Sequence, residues 1–277
     1  MTTAVRSATR LPSPGRGDWK ETLGRAGLVG RGVLYAVIGV LALQLAFGNA
    51  ADASQAGAIG WIGGQPLGKV LLVALTASLF ALAAWRFLDA LLGDPVEGSE
   101  ASDRARFAAS GVIYLSFAIA ALTATIANWS GQGSEPATQP GSGESQQKAT
   151  AVVLDWPGGQ WLVGIAGLAL IGYAAWKVKR HVVDEKFMER LDVGRSTWIE
   201  TSGRLGYLGR SIVWAVVGVF LVVAAASYDP SEAKGLSGAL QSLAGSGWGR
   251  LLLVVVAVGL LAFGVFNVAE ARHRRAA

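Results

Sequence analysis

Long apolar runs alternate with short polar stretches along the chain. Six runs stand out, over residues 33–47, 70–85, 107–127, 161–176, 212–226 and 251–266, and none contains an ionised side chain. Each is about 15–21 residues long, and a helix needs about 20 to cross a bilayer. The shorter runs therefore borrow a turn from apolar flanks such as Leu28 with Val29 and Leu91 with Leu92. The runs are apolar all round rather than along one stripe, which marks a helix facing lipid. A helix also pairs its own backbone N–H and C=O groups, as lipid requires. The pattern predicts an all-α integral membrane protein with six transmembrane helices. More than 30 mostly polar residues precede the first run, too long an approach for a usual signal peptide.

Composition agrees. Of 277 residues, 52% are hydrophobic and 16% charged, against about 25% charged in a soluble domain. This excludes a disordered chain and argues against an ordinary water-soluble enzyme. The absence of cysteine excludes disulfides and thiolate metal sites. Charge placement predicts orientation: of 24 Lys and Arg, only Lys69, Lys148, Lys234 and Arg250 fall on the side reached after odd-numbered runs. The other 20 lie before the first run or after the second, fourth and sixth. Both termini are then expected in the cytoplasm. Trp85, Trp129, Trp161, Trp176 and Trp248 fall where predicted spans meet the interface, a place that suits an indole.

The chain also repeats itself. Trp19, Glu21, Thr22, Gly24, Arg25, Gly27, Gly30 and Arg31 recur 179 residues on as Trp198, Glu200, Thr201, Gly203, Arg204, Gly206, Gly209 and Arg210. A weaker copy, 79 residues after the first, keeps Glu100, Arg104, Gly111 and Tyr114 but has lost the glycine row. The even-numbered runs repeat as well: Pro66, Gly68 and Trp85 align with Pro157, Gly159 and Trp176, and Lys177 and Asn267 take the place of Arg86. Each unit is an interfacial stretch, a helix out, an outer segment and a helix back. Two crossings per unit give all three units one orientation, so a pseudo-three-fold bundle about an axis along the membrane normal is expected. The boundaries read as a disordered basic tail over 1–18, repeats over 19–95, 96–193 and 194–271, and a basic tail over 272–277. Repeat 2 carries a low-complexity outer loop over 130–148.

Three tandem two-helix units, each opening on a Glu/Arg pair before an aromatic-bearing helix, resemble the bacterial membrane proteins of domain of unknown function 1206. The likeness covers roughly residues 19–270. It implies a three-repeat protein of the bacterial plasma (inner) membrane and brings no activity with it.

The pairs Glu21 with Arg25, Glu100 with Arg104 and Glu200 with Arg204 stack opposite charges one helical turn apart. They are candidate structural ion pairs on interfacial helices, or else a ring of pairs acting as a gate. Gly24, Gly27 and Gly30, with Gly203, Gly206 and Gly209, are candidate helix-packing positions, because three glycines costing about 1 kcal/mol each need a return such as close backbone approach. Arg86 and Lys177 are candidate lipid head-group contacts, snorkelling to phosphates at the inner surface. Residues 57–64 and 238–245 suggest short outer helices lying in the interface or capping a pore mouth. Phe187, Met188 and Leu191 could offer an apolar face to a partner or pack against the chain's own interfacial helix.

No carboxylate or histidine falls within an apolar run, and His181 and His273 are the only histidines. No nucleophile with a base is evident, so an enzyme is not expected, nor is any cofactor, metal or nucleic-acid partner. The expected partners are the bilayer, anionic lipid head groups and a further membrane protein. The reading is a structural or regulatory membrane scaffold. The alternative is a channel or transporter passing a small neutral or hydrophobic solute along the pseudo-three-fold axis.

Overall fold

The computed structural model describes residues 18–49, 51–94, 98–130, 143–192, 196–245 and 247–273. The expected N-terminal tail, apart from Asp18, lies outside the described residues, as do most of the outer loop of repeat 2 and the last four residues.

Nine α-helices are described: α1 (Asp18–Ala46), α2 (Gln55–Gly63), α3 (Gly68–Leu92), α4 (Ala101–Trp129), α5 (Gly143–Leu154), α6 (Gly159–Val178), α7 (Thr197–Ser227), α8 (Leu236–Ala244) and α9 (Gly247–His273). Six of them give apolar spans of 25–31 residues. Twenty-five residues rise about 37 Å, enough for a hydrocarbon core of about 30 Å. The protein is an all-helical multi-pass membrane protein built of two-helix repeats.

The spans run well past the apolar runs. α1 begins at Asp18, far ahead of Val33, and α7 begins at Thr197. The expected interfacial stretches are thus the opening turns of the crossing helices rather than separate helices lying flat. At the chain's end, α9 continues to His273, so Arg272 belongs to a helix and not to a tail. The outer loop is likewise shorter than expected, because α5 starts at Gly143.

The helices form a ring with one gap. α3 packs on α4, α6 on α7 and α9 on α1, three equivalent seams between consecutive repeats. Inside repeats 1 and 3, α1 packs on α3 and α7 on α9, but inside repeat 2 α4 and α6 do not pack along one another. The edges of the gap show this in burial: 17% of the α6 span window is buried, against 56% for α1.

The glycine row accounts for the gap. A Cβ on Gly27 would fall 2.6 Å from Leu82 Cβ, Gly24 sits against the Trp85 ring, and Gly30 sits against Ser78, all on α3. In repeat 3, Gly206 meets the Phe263 backbone and Gly209 that of Gly259, both on α9, while Gly203 abuts Phe187. Repeat 2 carries Asp103, Arg106 and Ala109 at the corresponding places. Asp103 and Arg106 are too large for the close approach that the glycines allow, and α4 stands apart from α6.

At the end of the bundle away from the termini, α2 and α8 turn inward. Ser54 caps α2, its hydroxyl accepting from Gly57 N at 3.0 Å. Ala58, Ile59, Ala239 and Leu240 are fully buried in one core with Ile38, Leu79, Ala118, Val217 and Leu253. The short helices therefore plug the far end rather than lie on its surface. Thr76 and Thr125 exchange a hydrogen bond of 3.1 Å across α3 and α4 in the same region.

Candidate functional site: a cationic cavity at the basic end

The end bearing the chain termini collects basic side chains, and there the sequence expectation changes most. Arg31, Arg86, Asp89, His181, Asn267 and Glu270 are buried. Sequence reading places them in the flanks of the apolar runs, because hydropathy ends a run at its first charge. The helices continue, and their last turns pack. Asp89 and Glu270 are thus carboxylates inside the bundle, and His181 is a buried histidine stacked on Tyr207 at 4.1 Å between ring centroids. Trp85, expected at the interface, is 3% exposed, whereas Trp129, Trp161, Trp176 and Trp248 are exposed.

A cavity of about 120 Å³ opens among these groups where α4 and α6 part. Arg31, Arg86, Arg106, Lys177, Arg180 and Arg210 line it, and among the described residues no carboxylate does. The repeat puts them there. Arg31, Ser110 and Arg210 are equivalent in the three units, as are Arg86, Lys177 and Asn267; five of these six line the cavity. The sixth, Asn267, turns back on its own helix, its amide donating to Phe263 O at 2.5 Å.

Aromatic faces hold the cations. Arg31 lies 4.9 Å from the centroid of the Phe263 ring and Arg210 5.2 Å from the same ring. Arg86 sits over Trp85 at 4.5 Å, Arg180 over Trp176 at 5.2 Å and Lys177 over Tyr173 at 5.5 Å. Each desolvated contact contributes about 2 kcal/mol, similar to the roughly 2.5–3.5 kcal/mol that an arginine costs inside a membrane helix on insertion scales. Like-charge repulsion is left over. Sharing one ring, Arg31 and Arg210 are no more than about 10 Å apart, a repulsion of at least about 1.7 kcal/mol at an effective dielectric of 20. Arg86 pairs with Asp89 at 3.5 Å. The buried Nε atoms of Arg31 and Arg210 have no hydrogen-bond partner among the described residues.

A second cavity of about 120 Å³ lies toward the far end, walled by Tyr35, Phe117, Val213, Val217 and Leu260, with Gln55 also on its wall and Arg210 lining both cavities. A basic chamber and a mostly apolar one thus meet at Arg210.

The expected ion pairs are not a ring of three. The side chain of Glu21 lies outside the described residues. Glu200 and Arg204 pair at 3.5 Å, and Arg204 also engages Glu185, in the segment joining α6 to α7. Arg104 does not pair with Glu100. Its Nε donates to Ala90 O at 2.7 Å and its Nη2 to Leu91 O. The last carbonyls of a helix lack partners within it, and a guanidinium satisfies two of them while meeting the negative end of the helix dipole.

Lys177 is half-buried and Arg86 buried. Neither snorkels outward as expected; both face the cavity. Nor do Phe187 and Leu191 offer a face to a partner. Each is 1% exposed, packed with Ile199, Tyr207, Phe263 and Phe266. The chain reaches that packing because α6 ends in a π-helical turn (Lys179–Val183) and reverses, with Glu185 left-handed at φ 52°.

The fold and its repeats define a multi-pass membrane protein of three tandem two-helix units. The chain belongs to the family Domain of Unknown Function (DUF1206), whose model matches three times, over residues 26–93, 105–180 and 205–274. It is also similar to the uncharacterized protein YxxB of Bacillus subtilis (strain 168), 29% identical over 258 residues, which covers 90% of each chain. No solved structure matches the chain.

Proposed function

We propose that this protein is a non-enzymatic binding module of the bacterial inner membrane, a structural or regulatory scaffold whose basic end faces the cytoplasm and recognises an anion. The observation that carries this reading is the cationic cavity, lined among the described residues by six Lys and Arg side chains and no carboxylate. Supporting a binding role over a conducting one, α2 and α8 are packed into the apolar core of the far end, and the cavity beside the basic chamber is mostly apolar. Passage of a neutral solute draws no support from so basic a chamber. The even number of spans and the concentration of Lys and Arg at the termini-bearing end support the orientation. In support of a non-catalytic role, the described lining sets Ser110 beside no carboxylate that could act as its base, while His181 is stacked on Tyr207.

The test is flux. Purified protein in sealed liposomes passes neither radiolabelled glycerol nor radiolabelled phosphate faster than empty liposomes; saturable flux of either would replace this reading with a transporter.

A further inference from the structure

We propose that the basic chamber holds the phosphomonoester head of a membrane amphiphile, which enters sideways between α4 and α6 and lays its tail in the apolar cavity beside Phe117. The inference rests on the binding-module reading above and names its ligand.

Three observations converge. The first is charge. Arg31 is more than nine-tenths buried, lines the chamber and has an Nε without an acceptor among the described residues. Arg210, its equivalent in repeat 3, lines the same chamber with its buried Nε in the same condition. Guanidinium groups match phosphate oxygens in paired, charge-assisted hydrogen bonds. Arg86 and Arg106 are paired with Asp89 and Asp103, but Lys177 and Arg180 add positive charge around the two arginines, so a dianionic monoester fits better than the single charge of a diester. Basic pockets between membrane helices at the cytoplasmic leaflet are suited to such heads.

The second observation is the tail space. The apolar cavity shares Arg210 with the chamber and extends along α7 to Val217, two helical turns and about 10 Å away. A free phosphate would leave that space unused. The third is the entrance. α4 and α6 do not pack along one another, and the chamber draws Arg106 and Tyr114 from α4 and Tyr173 and Lys177 from α6. Its wall is therefore parted where the bilayer lies, and a lipid can reach it without leaving the membrane.

The experiment is native mass spectrometry on the full chain in detergent, titrated with dioleoyl phosphatidic acid, dioleoyl phosphatidylglycerol and inorganic phosphate. One phosphatidic acid binds per chain, with an affinity about tenfold or more above that for phosphatidylglycerol. The double variant Arg31→Gln with Arg210→Gln loses that preference, whereas Arg250→Gln, at the far end, keeps it. Phe117→Trp leaves every cation in place but fills the tail space, so it weakens dioleoyl phosphatidic acid and spares a dibutyryl analogue. Should the double variant not fold, the wild-type preference and Phe117→Trp decide. Equal binding of the two lipids, or no effect of the arginine changes in a folded variant, overturns the proposal. Displacement of the lipid by inorganic phosphate mole for mole overturns its membrane source. Flux in liposomes would strike the binding-module reading instead, so the two fail separately.

Discussion

At the scale of single residues, space and backbone angle decide what this chain tolerates. A Cβ on Gly206 would lie 2.6 Å from Phe263 Cα, a backbone atom that cannot swing aside. Gly206→Ala must push α7 from α9, and overpacking of this kind costs about 1–3 kcal/mol. Nothing lies within 4 Å of a Cβ on Gly60, so Gly60→Ala gains up to about 1 kcal/mol of helix propensity instead. Thermal melting in detergent, followed by circular dichroism, should move in opposite directions for the two. Leu67 makes a related case. It holds φ 67° just before α3, where repeat 2 has Gly158 at φ 78°. A left-handed leucine costs about 1–2 kcal/mol, and its side chain is 77% exposed, so little packing is lost on removal. Leu67→Gly should raise the melting temperature, and an unchanged or lower value would mean that the turn is not strained.

At the scale of elements, hydropathy was a good guide to the crossings and a poor one to their ends. Six apolar runs locate six spans, and the glycine rows at 24–30 and 203–209 mark where α1 meets α3 and α7 meets α9. What was not legible is what the final turns do. Arg31, Arg86, Asp89 and Glu270 fall outside the apolar runs, and Arg86 reads as a head-group contact, because a one-dimensional window cannot tell a charge facing the interface from one turned toward a neighbouring helix. The gap in repeat 2 was half visible: the loss of its glycine row can be read from the sequence, but its consequence, a parted α4 and α6, needs the ring. The joining segment after α6 is legible in part: packing on the chain's own interfacial helix is one of the two readings its apolar residues offer, and Ile199 and Tyr207 of α7 provide that packing. Phe187 sits under Gly203 and edge-on to Phe266 at 5.1 Å between ring centroids, a pairing no local pattern announces. Phe187→Ala should therefore cost about 3–5 kcal/mol, as buried phenylalanines do, and should release the segment. Limited trypsinolysis reads this as faster cutting at the exposed Lys186, while an unchanged rate would show that the segment is held from elsewhere.

At the scale of the whole molecule, the two ends have opposite characters, and the orientation proposed above rests on that contrast. The far end is closed by short helices buried in aliphatic packing, while the other gathers the termini and a chamber with six cationic walls. An even number of crossings puts both termini on one side whatever the orientation, so only the sign of that side has to be decided. The concentration of Lys and Arg at the termini-bearing end supports placing that end in the cytoplasm, because Lys and Arg near span ends are held back from translocation while Asp and Glu count for little. The chain has no cysteine, so single reporters can be placed without background. Asp155 follows α5 at the far end and Glu189 lies in the segment after α6; both are exposed. In intact cells an impermeant maleimide should label Asp155→Cys and leave Glu189→Cys unlabelled until the membrane is opened. The reverse pattern would put the basic chamber outside the cell, and labelling of both positions in intact cells would mean that the crossings are not six.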